Sequence, residues 1–216
     1  MKEHALIFDM DGVIVDSMPY HQKAWELYLN QIGLDAALLN ARMHGKHNDE
    51  LLREFLGSDT DLATIRRMGA EKEALYRELI RPSLEEALLP GIRPFLDTFD
   101  SSAKAIASNA EAANVNFVLE ETGLAPRFAF ALNGEQVAKG KPDPEIYLKA
   151  AEVLRIQPSN CIVFEDSQTG IQAGLAAGMT VVAINSHRTT LHGAAFEADS
   201  FLDSHIAKWV HDFITS

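Results

Sequence analysis

From Gly91 onward the chain alternates short, mostly apolar runs with stretches of helical periodicity, and few architectures accept that pattern. Ala103 to Ala107, Phe128 to Leu132, Cys161 to Phe164 and Thr180 to Ile184 are too short for helices and suit strands buried on both faces of a parallel sheet. Helical patterns over Glu111 to Glu121, Pro144 to Leu154 and Ser167 to Ala177 separate most of them. Ala5 to Phe8 reads as one more short buried strand. The fold class expected is α/β: a doubly wound, mostly parallel sheet with a Rossmann-like core, whose ligands sit beyond the carboxyl ends of the strands.

Residues 17–83 break this alternation, because no strand pattern occurs there. Tyr20, Ala24, Leu27, Tyr28 and Ile32 recur at helical spacing before a stop at Gly33, and two more helical stretches cover about 49–56 and 61–80. The organisation expected is an α/β catalytic core from residues 1–16 and 84–216, with a helical cap, residues 17–83, inserted after the first strand. A length of 216 residues with 47% hydrophobic content suits a core of that size plus a modest insertion.

A formal net charge of −12 leaves no electrostatic footprint for nucleic acid or an anionic membrane, so small-molecule chemistry is the default. The single cysteine, Cys161, excludes an internal disulfide and multi-cysteine metal sites, and its neighbours place it on a buried strand. The first strand begins too early for a signal peptide, and no apolar run is long enough to cross a bilayer. A monomer in the reducing cytoplasm is expected.

Chemistry is expected at the strand ends. After the first strand, Asp9 and Asp11 flank Met10 ahead of Gly12, which lets the backbone turn sharply; two acids on one face need a proton or a cation between them. After the second, Ser108-Asn109-Ala110-Glu111 has the spacing of a capping box, and a helix N-terminus there also suits phosphate. Lys141 lies between Gly140 and Pro142, ahead of Asp143 as a cap and Pro144 as a helix start, either solvated or aimed at a phosphate or carboxylate cluster. Glu165 and Asp166 follow the fourth run, ahead of Ser167 as a cap and of Gly170 and Gly174, which let the helix pack close. Several carboxylates at one edge fit a hard divalent ion, Mg²⁺ foremost.

This ordered set resembles the motifs of the haloacid dehalogenase superfamily of phosphotransferases, over nearly the whole chain. The insertion is similar to the small helical cap of sugar-phosphate phosphatases and β-phosphoglucomutases. The resemblance implies that Asp9 attacks phosphorus and that Asp11 protonates the leaving oxygen and later activates water. It implies Mg²⁺ held by the Asp9 carboxylate, the Asp11 backbone carbonyl and Asp166 with Glu165 assisting, and phosphoryl oxygens held by Ser108, the Asn109 region and Lys141. Relatives that dehalogenate lack the second aspartate, so Asp11 favours phosphoryl transfer. The partner implied is a small phosphorylated metabolite.

In the insertion, His21 and Trp25 resemble a pattern common to both kinds of relative. His21 divides between packing and a site role, and Trp25 is expected to pack. Lys46, His47 and Asn48 fall in a segment similar to the substrate-facing cap loop, with Asn48 where the mutases carry a phosphate-gripping arginine. Lys72 lies where the mutases have a cap lysine, although Glu71-Lys72-Glu73 also reads as a solvated helix face. The expectation is a sugar-phosphate phosphatase. The alternatives are a β-phosphoglucomutase and a non-catalytic binding or regulatory protein on the same fold. His187, His192, His205 and His211 show no metal-binding spacing.

Overall fold

Apolar strands without polar alternation need cover on both faces, and the computed structural model, which describes residues 4–36 and 48–215, provides it. Strands β1 (Ala5–Phe8), β2 (Ala103–Ala107), β3 (Phe130–Leu132), β4 (Cys161–Glu165), β5 (Thr180–Ile184) and β6 (Phe196–Ala198) form one six-stranded parallel sheet. Its order is β3-β2-β1-β4-β5-β6. The first strand is therefore central, and its two neighbours are reached by connections running in opposite directions along the sheet. That reversal makes a crevice at the carboxyl ends of β1 and β4.

Alternate side chains of each strand point to opposite faces. Ala5 and Ile7 of β1, Ala103 and Ala107 of β2, and Cys161 and Val163 of β4 pack with Ile146, Tyr147, Ala150 and Ile171. The last four come from helices α6 (Glu145–Leu154) and α7 (Gln168–Ala176). The other face carries aromatic rings. Phe8 and Phe164, paired in register, stack at 4.5 Å, and Phe95 of α4 (Ile92–Thr98), Phe128 and Phe201 close around them. The remaining helices of this unit are α5 (Ala112–Glu121) and α8 (Ser204–Thr215).

The chain divides into two compact units, Met1–Asp16 with Leu84–Ser216, and Ser17–Ser83. The second consists of α1 (Met18–Gln31), α2 (Asn48–Leu56) and α3 (Leu62–Ile80), followed by a 3₁₀ turn, Arg81–Ser83. Trp25, Tyr28 and Leu29 of α1 meet Leu51 and Leu52 of α2 and Ile65 and Met68 of α3 in a separate core, so Trp25 packs as expected. At the end of α1, Gly33 takes φ +78°, while Gly33 N–H and Leu34 N–H return to Asn30 and Leu29 carbonyls, the Schellman closure that favours glycine.

Two local expectations need correction. The capping box at Ser108 is absent: α5 starts at Ala112 with Glu111 in the cap position and no side-chain bond capping the helix, while Ser108 Oγ accepts the Ala110 N–H within a turn. Glu135 Oε1 serves the Ala112 N–H instead, at 3.1 Å. The third strand begins at Phe130 rather than Phe128, because the 3₁₀ turn Ala125–Arg127 occupies the chain just before it.

Candidate active site

The parallel register sets the strand ends side by side. Phe8 pairs with Ile106 on one flank and Phe164 on the other, which places Asp9 beside the ends of both β2 and β4. Asp9 N–H continues the ladder to the Phe164 carbonyl at 3.0 Å, fixing the backbone that carries this buried carboxylate. The chain then coils tightly, with Ile14 and Val15 N–H both returning to the Met10 carbonyl. Gly12 has φ +75°, and a Cβ there would collide with the Asp166 carboxylate, so glycine is required twice over. Asp11 is partly exposed on this coil.

Lys141 brings the acids together. Its Nζ donates to Asp9 Oδ1 at 2.7 Å and to Glu165 Oε1 at 2.6 Å, with only 5% of the side chain exposed. The loop that carries it is anchored on both sides. Asn109 Oδ1 accepts the Lys141 N–H at 3.2 Å, and the Glu145 carboxylate accepts the N–H groups of Ala138 and Lys139. Asp143 Oδ1 accepts the Glu145 N–H within a turn, but Pro144, expected as the first helical residue, itself takes the cap position of α6 and no side chain caps it, which corrects the expected Asp143 cap. Lys141 is therefore not a solvated lysine, and it meets a carboxylate cluster.

Glu165 is fully buried and saturated. Besides Lys141, Oε1 accepts the Tyr147 hydroxyl at 2.6 Å, while Oε2 accepts Asp166 N–H, Ser167 N–H and Ser167 Oγ. Ser167 Oγ also caps α7 through Gly170 N–H at 3.1 Å, as expected. A Cβ on Gly170 would strike the Glu165 carboxylate, and one on Gly174 would lie 2.7 Å from Val181 Cγ2. Both glycines thus admit the close packing anticipated for them. Tyr147 carries no motif signal, because it lies in the apolar stripe of α6 with Ile146 and Ala150.

Asp9, Glu165 and Asp166 offer carboxylate oxygens all within 4.8 Å of one another. Burial, followed by the Glu165 charge among its neighbours, pushes Asp166 up to about 8. Burial likewise pushes Asp9 up to about 7, with the nearby ammonium of Lys141 opposing. Burial acts against the charge of Lys141, yet Asp9 and Glu165 outweigh it and hold that ammonium above its ordinary range. One ammonium does not balance two buried acids and a half-buried one, and a divalent cation with oxygen ligands answers that imbalance. Ser108 lies buried at the end of β2, its N–H donating to the Leu132 carbonyl, and Asn109 follows beside Gly140.

Within the Ser17–Ser83 unit, a second polar cluster forms in its own core. Lys72 is 1% exposed and Glu73 4%, so the solvated-face alternative for this pair is overturned. Lys72 Nζ donates to Glu73 Oε1 at 2.6 Å, meets His21 Nδ1 at 3.0 Å and lies over the Trp25 ring. Asn48 Nδ2 donates to the same Glu73 Oε1 at 2.6 Å, and His21 stacks on Tyr76 at 3.8 Å. Burial opposes the Glu73 charge, but Lys72 and His21 beside it, together with the Asn48 bond, hold its carboxyl down at about 2. Lys46 and His47 lie outside the described residues. Glu73 itself was missed, because an acid next to a lysine on a helix ordinarily faces water.

A model of haloacid dehalogenase-like hydrolases matches residues 4–178. The β-phosphoglucomutase of Bacillus subtilis (strain 168) is 33% identical over 198 residues, covering 87% of this chain and 85% of that protein. The fructose-1-phosphate phosphatase YqaB of Escherichia coli (strain K12) is 32% identical over 181 residues, covering 83% of this chain and 95% of that protein. Among solved structures, the family IA, variant 3 hydrolase of Entamoeba histolytica HM-1:IMSS superposes with a TM-score of 0.87 at 26% identity, covering 99% of this chain and 100% of that one.

Proposed function

The chain belongs to the haloacid dehalogenase-like hydrolases, with β-phosphoglucomutases and sugar-phosphate phosphatases among its relatives, and on that premise we propose that it is a Mg²⁺-dependent phosphatase of small phosphate monoesters, chiefly sugar phosphates. The observation that carries this is the buried cluster of Asp9, Lys141, Glu165 and Asp166 at the switch point of the sheet. On the same reading, Ser17–Ser83 is the helical cap and the other unit the catalytic core.

In the first step an Asp9 oxygen attacks phosphorus while the bond to the ester oxygen breaks, and Asp11 gives its proton to that leaving oxygen. The result is an aspartyl-phosphate on Asp9 and a free alcohol. Asp11, now a carboxylate, takes a proton from water as the water attacks phosphorus, which releases phosphate and restores Asp9. Ser108, the backbone near Asn109 and the Lys141 ammonium hold the phosphoryl oxygens through both steps. The Asp9 and Asp166 carboxylates, with the Asp11 backbone carbonyl, suit Mg²⁺ as hard oxygen donors, while Glu165, whose oxygens already accept from Lys141, Tyr147, Asp166 and Ser167, adds negative charge beside them. When bound, Mg²⁺ supplies positive charge against the phosphoryl oxygens.

Hydrolysis is favoured over mutase chemistry by the cap. Returning a bisphosphate in reversed orientation asks for a fixed cation on the second phosphate. Here position 48 is a neutral amide, and both it and the Lys72 ammonium donate to Glu73. The proposal is tested by phosphate release across a panel of sugar phosphates with Mg²⁺. Asp9→Asn is expected to lower the rate by more than about a thousandfold, and chelation to abolish it. A rate that survives both treatments overturns the mechanism. Conversion of β-glucose 1-phosphate, with a bisphosphate primer, to glucose 6-phosphate faster than to free phosphate transfers the assignment to the mutase.

A further inference from the structure

Tyr147 serves two charged neighbours at once. Fully buried on α6, it donates its O–H to Glu165 Oε1 at 2.6 Å, and its ring lies 4.9 Å from Lys141 Nζ. Building on the phosphatase reading, we infer that Tyr147 is a positioning residue for phosphoryl transfer: it holds the Glu165–Lys141 pair so that the ammonium stays on Asp9 instead of withdrawing onto Glu165.

The inference follows from a competition for one cation. Lys141 divides its N–H groups between Asp9 Oδ1 and Glu165 Oε1, at 2.7 and 2.6 Å. Glu165 Oε2 is already held by Asp166 N–H, Ser167 N–H and Ser167 Oγ, so Oε1 is the oxygen that bargains for the lysine. A second donor on Oε1 offsets part of its charge and pins its position. The phenol is that donor, and the same ring offers the ammonium its π face. A phenylalanine would fill the same volume but leave Oε1 one hydrogen bond short, and a buried carboxylate in that condition draws the lysine more strongly. Asp9 would then lose part of the positive charge beside it. The bland alternative makes Tyr147 a core residue whose hydroxyl merely finds an acceptor. The two differ in what happens to Lys141.

The test uses the full chain carrying Tyr147→Phe or Tyr147→Leu. Steady-state phosphate release is measured with Mg²⁺ on the best substrate of the panel, alongside ¹⁵N NMR of the Lys141 ammonium and thermal melts. Tyr147→Phe is expected to lower kcat about tenfold, with KM held within about twofold, as for loss of one hydrogen bond to a charged group. The Lys141 resonance should shift in Tyr147→Phe and shift further in Tyr147→Leu, which also removes the ring. A kcat for Tyr147→Phe within about twofold of the parent, or an unmoved Lys141 resonance, overturns the inference. Failure of the parent to release phosphate from any sugar phosphate overturns the phosphatase reading instead, and the Lys141 resonance still decides whether Tyr147 positions the ammonium.

Discussion

At the scale of single residues, two helical glycines separate packing from propensity. Gly170 occupies the first turn of α7, where alanine would ordinarily gain about 1 kcal/mol, yet a Cβ there would collide with the Glu165 carboxylate. Gly69, inside α3, would place its Cβ 3.8 Å from Asn48 Cβ, an ordinary contact. Gly170→Ala is therefore expected to cost about 1–3 kcal/mol through overpacking, while Gly69→Ala is expected to gain about 0.5–1 kcal/mol. Urea unfolding of both variants checks the pair, and equal signs would show that the Glu165 contact does not constrain the helix. Asp9, Asp11, Ser108, Glu165 and Asp166 stand out in the sequence because each lies at or just beyond the end of a short apolar run, and Lys141 because Gly140 and Pro142 hold it just ahead of a helix. Tyr147 and Glu73 were not, since one reads as part of an apolar stripe and the other as half of an exposed charge pair. Partner geometry distinguishes them, and no spacing within their own helices reports it.

At the scale of elements, α3 behaves unlike an amphipathic surface helix because it buries Lys72 and Glu73 together. The Glu73 carboxyl sits at about 2 in the folded chain against an ordinary value of 4.5, with burial opposing and Lys72 and His21 prevailing. A depressed carboxyl contributes its stability in full above about pH 4.5 and loses it as pH falls toward 2, a difference of about 3 kcal/mol. Trp25 lies in the core of this unit and Trp209 in the other unit, so a Trp209→Phe background makes Trp25 fluorescence report on Ser17–Ser83. In that background, urea midpoints are expected to fall between pH 5 and pH 2.5. Glu73→Gln is expected to lower the pH 7 stability by about 3–5 kcal/mol, because it strands a buried lysine, and to flatten the acid limb. An unchanged acid limb in Glu73→Gln would assign the acid sensitivity to other groups. The long periodic helices α1 and α3 were readable within a residue or two. Three elements escaped: α4, with seven residues, β6, with three, and α8, whose buried positions are Ile206 and Val210. Elements as short as α4 and β6 carry too few periods for a hydrophobic pattern to rise above their neighbours, whereas α8 spans 12 residues and shortness does not account for it.

At the scale of the whole molecule, the sheet order matters more than any strand in it. Periodicity marks a strand but does not name its neighbours; the order β3-β2-β1-β4-β5-β6 makes neighbours of two segments more than 150 residues apart in sequence. The same order collects acids, in a chain already carrying a net charge of −12. Cations can therefore stabilise this protein in two ways, by diffuse screening of its self-repulsion or by binding among Asp9, Glu165 and Asp166. Screening depends on ionic strength alone, whereas site binding saturates and depends on the ligand atoms. With Mg²⁺ at about a hundred times its dissociation constant, site binding adds about 2.7 kcal/mol, which moves the melting midpoint of a chain this size up by several degrees. Sodium chloride at matched ionic strength is expected to give a much smaller rise. Asp166→Asn should remove most of the Mg²⁺-specific increment while leaving the salt response intact, because it deletes one oxygen donor of the cluster and changes the net charge by a single unit. Equal melting shifts with the two salts would show that the acidic surface, and not the strand-end cluster, receives the ion.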